Sequence, residues 1–115
     1  MVTYRWNIFW TELDPALGPE QAGKRPVLVI SAEEVNQALP IVTVLPLTAY
    51  KSARRIYPTE ALLPAEITGL PKDSIALAHQ IRTVTKKRLY EQCGTVEDED
   101  LRKQILQALK RHLGI

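Results

Sequence analysis

The stretch from Glu20 to Ser31 constrains the fold of this chain more than any other. A polar loop containing Gly23 leads into Arg25 and Pro26, and an apolar run of mostly β-branched residues follows, Val27-Leu-Val-Ile30. Such a run predicts a buried strand, which proline can open because the first residue of a strand needs no N–H. Arg25 is then expected at the mouth of the strand, either as an anion site or in a surface ion pair, and this stretch alone favours the ion pair.

Short apolar segments separated by turn signals continue along the chain. Large apolar residues alternate at Trp6, Ile8 and Trp10, which predicts a half-buried strand. The two tryptophans are expected in the core or at a dimer interface rather than stacked on a base. Besides Pro26–Ser31, strands are predicted at 41–47, 57–63, 73–79, 80–85 and 90–96, with a helical turn or loop at 32–38 and a turn region at 64–72. Five to seven short strands favour a mainly-β domain, a small barrel or a twisted antiparallel sheet.

The C-terminal segment has a different pattern. Leu101, Ile105, Leu109 and Leu113 recur every four residues, which predicts an amphipathic helix. The acidic run at 97–100 lies at the positive end of its dipole, and Gly114 stands at the C-cap position. The acidic run therefore needs no functional interpretation.

The composition describes one globular domain spanning residues 1–115. With 45 % apolar residues, the chain is long enough for a modest core. Its longest apolar run is too short to span a bilayer, and its N-terminus does not resemble a signal peptide. One cysteine and two histidines form neither a disulfide framework nor a histidine-rich metal centre. The sequence predicts a cytoplasmic protein without metal or cofactor.

The net charge of +2 is uninformative, but the distribution of charge is not. Lys51, Arg54 and Arg55 share a stretch without acids, and a second basic cluster comprises Arg82 and residues 86–88. Two basic segments on one small domain indicate a polyanionic partner. The alternative, two solvated loops, is at least equally compatible with the charges.

Taken together, these stretches resemble the MazF/PemK toxins of bacterial toxin–antitoxin pairs. The resemblance rests on the Glu-Gln-x-Gly-x-Arg-Pro loop at 20–26, Leu45-Pro-Leu-Thr48, Gly69-Leu-Pro-Lys-Asp-Ser74, Gln80-Ile-Arg-Thr-Val84 and Lys87-Arg-Leu89, in this order. It implies a homodimer of SH3-like barrels with a C-terminal helix. It also implies metal-independent, sequence-specific cleavage of single-stranded RNA to cyclic phosphate and 5′-hydroxyl ends, and an acidic antitoxin partner.

The resemblance also assigns residues. Arg25 and Thr48 match catalytic positions. Positions that line the RNA groove in relatives match Glu20, Gln21, Ser31, Ser74, Gln80 and Arg82. The basic loop is expected to contact RNA phosphates through Lys51, Arg54 and Arg55.

Neither catalytic residue is a convincing base, because an arginine stays protonated at any ordinary pH. His79 is the candidate for proton transfer, since an imidazole titrates near neutrality. The alternative is a histidine that only forms hydrogen bonds at a strand end. Some relatives carry an acid at this position and an arginine two residues earlier, where this chain has Leu77. A scheme built on that pair does not transfer.

Three rival interpretations keep the fold. Gyrase-poisoning toxins share the barrel and a terminal Gly-Ile, but they place a tryptophan where this chain has Leu113. A non-catalytic SH3-like module would make Arg25 and Thr48 structural. A degenerate toxin would bind RNA or antitoxin without cutting.

Overall fold

The computed structural model describes all 115 residues. The chain contains three α-helices and seven β-strands. The helices are α1 (Glu33–Ala38), α2 (Ala65–Thr68) and α3 (Glu99–Leu113). The strands are β1 (Asn7–Glu12), β2 (Lys24–Val29), β3 (Ile41–Ala49), β4 (Glu60–Leu63), β5 (Ser74–Leu77), β6 (Arg82–Thr85) and β7 (Leu89–Thr95). Short 3₁₀ turns at 78–80 and 86–88 flank β6.

The strands form one antiparallel sheet in the order β4-β5-β3-β2-β1-β7, with β6 also paired to β3. The long central strand β3 changes partner along one edge, because β6 pairs with 41–44 and β5 pairs with 47–49. Pro46 lies in the gap between these two ladders, where a missing N–H costs no bond on that edge. The predicted antiparallel mainly-β fold with a C-terminal helix is confirmed. The sheet stays open, since its edge strands β4 and β7 do not pair.

Two hydrophobic clusters hold the sheet. The larger contains Ile8, Leu28 and Leu45 from the sheet together with Leu101 and Ile105 from α3, so the C-terminal helix closes this side of the core. The smaller cluster packs Phe9 and valines of β2, β3 and β6. Strands buried on both sides explain why β2 and β3 read as nearly continuous apolar runs.

Helix α3 has the ends that the sequence predicts. The Asp98 side chain accepts a hydrogen bond from the Leu101 amide at 2.9 Å and caps the N-terminus. Gly114 adopts the left-handed conformation with φ 73° at the C-terminus. None of the helices has both the length and the apolar character that a membrane crossing requires.

Several boundaries differ from the prediction. Strand β2 begins at Lys24, two residues early, because its ladder with β1 continues to the Glu12–Lys24 pair. The segment predicted as a turn region at 64–72 contains the short helix α2. The predicted strand at 73–79 ends at Leu77, and the strand predicted at 57–63 begins only at Glu60.

Candidate active site

A pocket opens where β2 and β3 separate. The last residue pair of the β2–β3 ladder on this side is Val27 with Pro46. The pairing stops at Pro26, which has no N–H to donate. Continuing the same register places Arg25 opposite Thr48. Segments 22–26 and 47–49 line the two sides of the resulting cavity, which has a volume of about 360 Å³.

The pocket is cationic. Lys24, Arg25 and Lys72 are among the 14 residues that line it, and no aspartate or glutamate is among them. The remaining polar side chains of the lining are those of Thr48 and Ser74, with Trp10 and Cys93 at its wall. Charges of one sign around a concave site concentrate the opposite charge, so this cavity attracts anions.

Arg25 is half-buried and fixed at its inner nitrogen. Its Nε donates to the Ala22 carbonyl at 3.0 Å. The two ion pairs of the chain, Arg54–Glu60 and Arg102–Glu99, leave Arg25 without a carboxylate. A guanidinium anchored in this way presents its two terminal nitrogens as a fork, the geometry that binds phosphate oxygens in pairs. The surface ion pair that the isolated sequence stretch favours is therefore wrong.

Thr48 and Ser74 approach from the neighbouring strands. Thr48 lies in β3 opposite Ile75 of β5, and the next register pair is Ala49 with Ser74. The Ser74 hydroxyl donates to the Lys72 carbonyl at 3.1 Å. The structure thus brings Arg25, Thr48 and Ser74 of the predicted site residues into one pocket.

Four other predicted residues hold the β1–β2 loop beside the pocket. The Glu20 carboxylate accepts from the Leu17 amide at 2.6 Å within this loop. The Gln80 amide group spans it, since Nε2 donates to the Pro19 carbonyl at 3.2 Å and Oε1 accepts from the Gln21 amide at 3.4 Å. Arg82 donates to the Leu13 carbonyl at 3.1 Å. The loop enters the pocket region as a tethered element, and the RNA contacts of these residues stay a prediction.

Ser31 lies apart from this group. It follows the other end of β2 and forms a hydrogen-bond network at the start of α1, where its hydroxyl donates to the Asn36 side chain and accepts from the Thr43 amide. The structure therefore does not bring Ser31 together with Arg25, and it gives the hydroxyl a structural task.

The basic loop divides into one paired and two exposed cations. Both terminal nitrogens of Arg54 bind the Glu60 carboxylate, at 3.1 and 3.0 Å. Glu60 is almost fully buried, with 5 % of its side chain exposed. Lys51 and Arg55 are exposed, and the Arg55 guanidinium lies 5.2 Å from the centre of the Tyr57 ring. Arg54 is thus engaged within the chain, whereas Lys51 and Arg55 stand free for a polyanion.

His79 lies outside the pocket. It is exposed on the 3₁₀ turn after β5, and its Nδ1 shares a hydrogen bond of 3.1 Å with the Thr59 hydroxyl. Neither Arg25 nor Thr48 is brought into contact with it, and the pocket lining does not include it. Within one chain the arrangement matches the alternative of a hydrogen-bonding histidine, and proton transfer by His79 stays a prediction.

The sequence interpretation missed Lys72, Lys24 and Cys93 as pocket residues. Lys72 is part of the Gly69-Leu-Pro-Lys-Asp-Ser74 motif, which was a usable signal, but the pairing of Ser74 with Ala49 that places it could not be derived from spacing. Burial and the nearby Glu91 raise the pKa of the Cys93 thiol, so this cysteine is not an activated nucleophile.

Fold and pocket define a class: a small antiparallel β-sheet protein with a C-terminal helix and a cationic pocket at a strand separation. Residues 4–113 match the model of the family described as the PemK-like, MazF-like toxin of type II toxin–antitoxin systems. The chain belongs to this family.

The similarity to known proteins extends over nearly the whole chain. The endoribonuclease MazF9 of Mycobacterium tuberculosis is 36 % identical over 96 % of each chain, and the endoribonuclease EndoA of Bacillus subtilis is 35 % identical over 86 % of this chain and 84 % of its own. The crystal structure of MazF from Deinococcus radiodurans superposes with a TM-score of 0.81 at 28 % identity, covering 100 % of this chain and 99 % of that one. A mycobacterial endoribonuclease in complex with its cognate antitoxin gives 0.77 at 25 % identity, covering 99 % and 97 %.

Proposed function

We propose that this chain is the toxin of a type II toxin–antitoxin system and acts as an endoribonuclease on single-stranded RNA. The observation that carries the proposal is the carboxylate-free pocket in which Arg25, Thr48 and Ser74 meet. Membership in the toxin family and the endoribonuclease names of MazF9 and EndoA support it.

The pocket suits an internal transesterification. The ribose 2′-hydroxyl attacks its own 3′-phosphate, the O2′–P bond forms, and the P–O5′ bond breaks. The products are a 2′,3′-cyclic phosphate and a 5′-hydroxyl. Because nucleophile and phosphate belong to the same nucleotide, attack needs orientation rather than capture of a second reactant.

Arg25 provides the main electrostatic stabilisation of the transition state. Negative charge grows on the non-bridging oxygens as the phosphorus becomes five-coordinate, and the Arg25 fork donates to these oxygens. Thr48, across the strand gap, adds a neutral hydroxyl donor. One proton leaves the 2′-hydroxyl and one reaches the 5′-oxygen, and neither step is assigned to Arg25, since its guanidinium does not deprotonate.

The family supports further assignments that belong to this proposal. The active species is a homodimer in the cytoplasm, and its activity is sequence-specific and needs no metal. An acidic antitoxin covers the cationic pocket and the free cations of the basic loop. The mycobacterial endoribonuclease has been solved in complex with its cognate antitoxin, and MazF of D. radiodurans has been solved as a MazE–MazF complex.

No observation favours the gyrase-directed alternative. Gly114 is explained as the left-handed residue that ends α3, with its amide donating to the Lys110 carbonyl at 2.8 Å.

Two matched substrates test the chemistry. An RNA oligonucleotide that the protein cuts is compared with the same oligonucleotide carrying a single 2′-deoxyribose at the cut. We expect that this one change abolishes cleavage while binding is kept, because the attacking hydroxyl is gone. Cleavage of the deoxy substrate at the same bond would refute internal attack.

Arg25→Lys and Thr48→Val separate the two residues. Lysine keeps the charge but loses the fork, so we expect a rate loss on the order of a hundredfold. Valine keeps the volume of Thr48 but removes the hydroxyl, and we expect a smaller loss, about tenfold. Unchanged rates in both variants, with folding confirmed by circular dichroism, would remove this pocket as the active site.

A further inference from the structure

We propose that Lys72 binds the phosphate next to the scissile one and holds the RNA strand in register with Arg25. This inference rests on the proposed function. It adds a positioning residue on the connection between α2 and β5, an element that the assignment of Arg25 and Thr48 leaves unused.

The first support is that Lys72 has no anion within the protein. It is exposed, it lines the same cavity as Arg25, and it forms no salt bridge. The neighbouring Asp73 is committed elsewhere, because its Oδ1 accepts from the Ala65 amide at 2.8 Å at the start of α2. The one acid adjacent in sequence therefore caps a helix and does not neutralise the lysine.

The second support is that the backbone at Lys72 is held. Pro71 precedes it, and the Ser74 hydroxyl binds its carbonyl oxygen at 3.1 Å. Ser74 itself is buried and paired in β5 with Leu63 and Ala49. The side chain is thus projected from a fixed point at the pocket rim, which lowers the conformational entropy lost when the ammonium binds.

The third support is that the other lysine of the pocket is differently engaged. The Lys24 ammonium lies 4.7 Å from the centre of the Tyr90 ring in a cation–π contact. Lys72 is then the free second cation of the cavity. Each phosphodiester carries one negative charge. The two positive charges of Arg25 and Lys72 are therefore balanced better by two phosphates of a strand than by one.

The salt dependence of binding tests this directly. The protein, Lys72→Gln and the control Lys103→Gln, an exposed lysine on α3 outside the pocket, are titrated with a fluorescent single-stranded RNA over a range of salt concentrations. We expect Lys72→Gln to bind several-fold more weakly at low salt and to lower the slope of log K against log salt by about 0.7, the value for one phosphate contact. Lys72→Arg and Lys103→Gln should keep the slope. An unchanged slope in Lys72→Gln would overturn the proposal.

Neutral phosphates then locate the contact. Methylphosphonates are placed one at a time on either side of the cut in an oligonucleotide that the protein cleaves. One of them should raise the KM of the parent protein and leave that of Lys72→Gln unchanged, with kcat retained. Equal sensitivity of both proteins at both positions would contradict the assignment. The titration does not depend on cleavage, so absence of cleavage by the parent protein would refute the proposed function and leave the test of Lys72 intact.

Discussion

The pair formed by Arg54 and Glu60 yields the sharpest prediction for stability. Replacing Arg54 by methionine keeps most of the aliphatic stem and removes both hydrogen bonds to Glu60. The carboxylate, with only 5 % of its side chain exposed, then keeps a single hydrogen-bond donor, the Tyr57 amide at 3.0 Å. A buried charge with one partner removed is the costly case.

The loss in free energy of unfolding that we expect for Arg54→Met lies between two limits. Removing one partner of a fully buried pair costs about 3–5 kcal/mol, and an exposed pair contributes about 1 kcal/mol or less. Because 34 % of the Arg54 side chain is exposed and Glu60 is nearly buried, we expect Arg54→Met to lower the free energy of unfolding by about 2 kcal/mol. In urea, this corresponds to a fall in the midpoint of about 1 M.

The assay is urea unfolding at pH 7 and one fixed protein concentration, since association would add to stability. Arg55→Met is the matched control, because the neighbouring guanidinium contacts only the Tyr57 ring and should cost less than about 1 kcal/mol. Together with the single variant Glu60→Gln, the double variant Arg54→Met/Glu60→Gln completes a double-mutant cycle. It should be more stable than Arg54→Met alone, since the orphaned charge is gone.

The pKa of Glu60 determines how the stability effect of Arg54→Met depends on pH. Burial alone would raise the pKa of Glu60, but the hydrogen bonds from Arg54 and the Tyr57 amide, together with the Arg54 charge, lower it below the ordinary 4.5. A lowered folded-state pKa gives stability that is present above the unfolded pKa and lost as the pH falls. The difference between the parent protein and Arg54→Met should therefore be largest near neutrality and shrink below about pH 4.5. A difference below 0.5 kcal/mol, or one that grows with acid, would refute the reasoning.

Three further predictions address other parts of the chain. Hydrogen bonds from the Arg5 amide and neighbouring donors outweigh the burial of Glu33 and lower its pKa to about 2. The parent protein should therefore lose stability between about pH 4.5 and 2, and Glu33→Gln should make this loss smaller when unfolding is followed by circular dichroism. An unchanged acid transition in Glu33→Gln would contradict this prediction. Gly94→Ala should lower the thermal midpoint, since an added Cβ would lie 3.0 Å from the Thr68 carbonyl, and an equal midpoint would mean that the backbone yields there. His79→Ala separates the two interpretations of that histidine: a strong loss of kcat with RNA binding retained would support proton transfer, and full cleavage would remove it.

The sequence predicted those helices and strands that depend on residues close to one another along the chain. The four-residue repeat from Leu101, the acidic run at 97–100 and Gly114 predicted helix α3, and the structure places its N-cap at Asp98 and its C-cap at Gly114. The apolar runs specified β2 and β3, whose extra residues at the ends depend on pairing with neighbouring strands. The start of β2 at Lys24 was missed for this reason.

Residues of the candidate site that lie in recognisable motifs could be proposed from the sequence, whereas residues that strand pairing brings to the pocket could not. Arg25 and Thr48 were found as matching positions, and the structure explains their meeting by the end of the β2–β3 ladder. The engagement of Arg54 with Glu60 could not be read from charge, because the acid lies beyond the basic stretch and is buried. The distance of His79 from the pocket depends on the end of β5 at Leu77, which periodicity did not show.

The central claim is that Arg25 in this pocket makes the protein a ribonuclease by internal attack. It is tested most directly by incubating the protein and Arg25→Ala with a long single-stranded RNA in excess EDTA, then sequencing and chemically typing the fragment ends. We predict cuts at a short recurring sequence, with 2′,3′-cyclic phosphate and 5′-hydroxyl ends, from the parent protein only. Equal cleavage by the folded variant, or ends with a 5′-phosphate, would contradict the account.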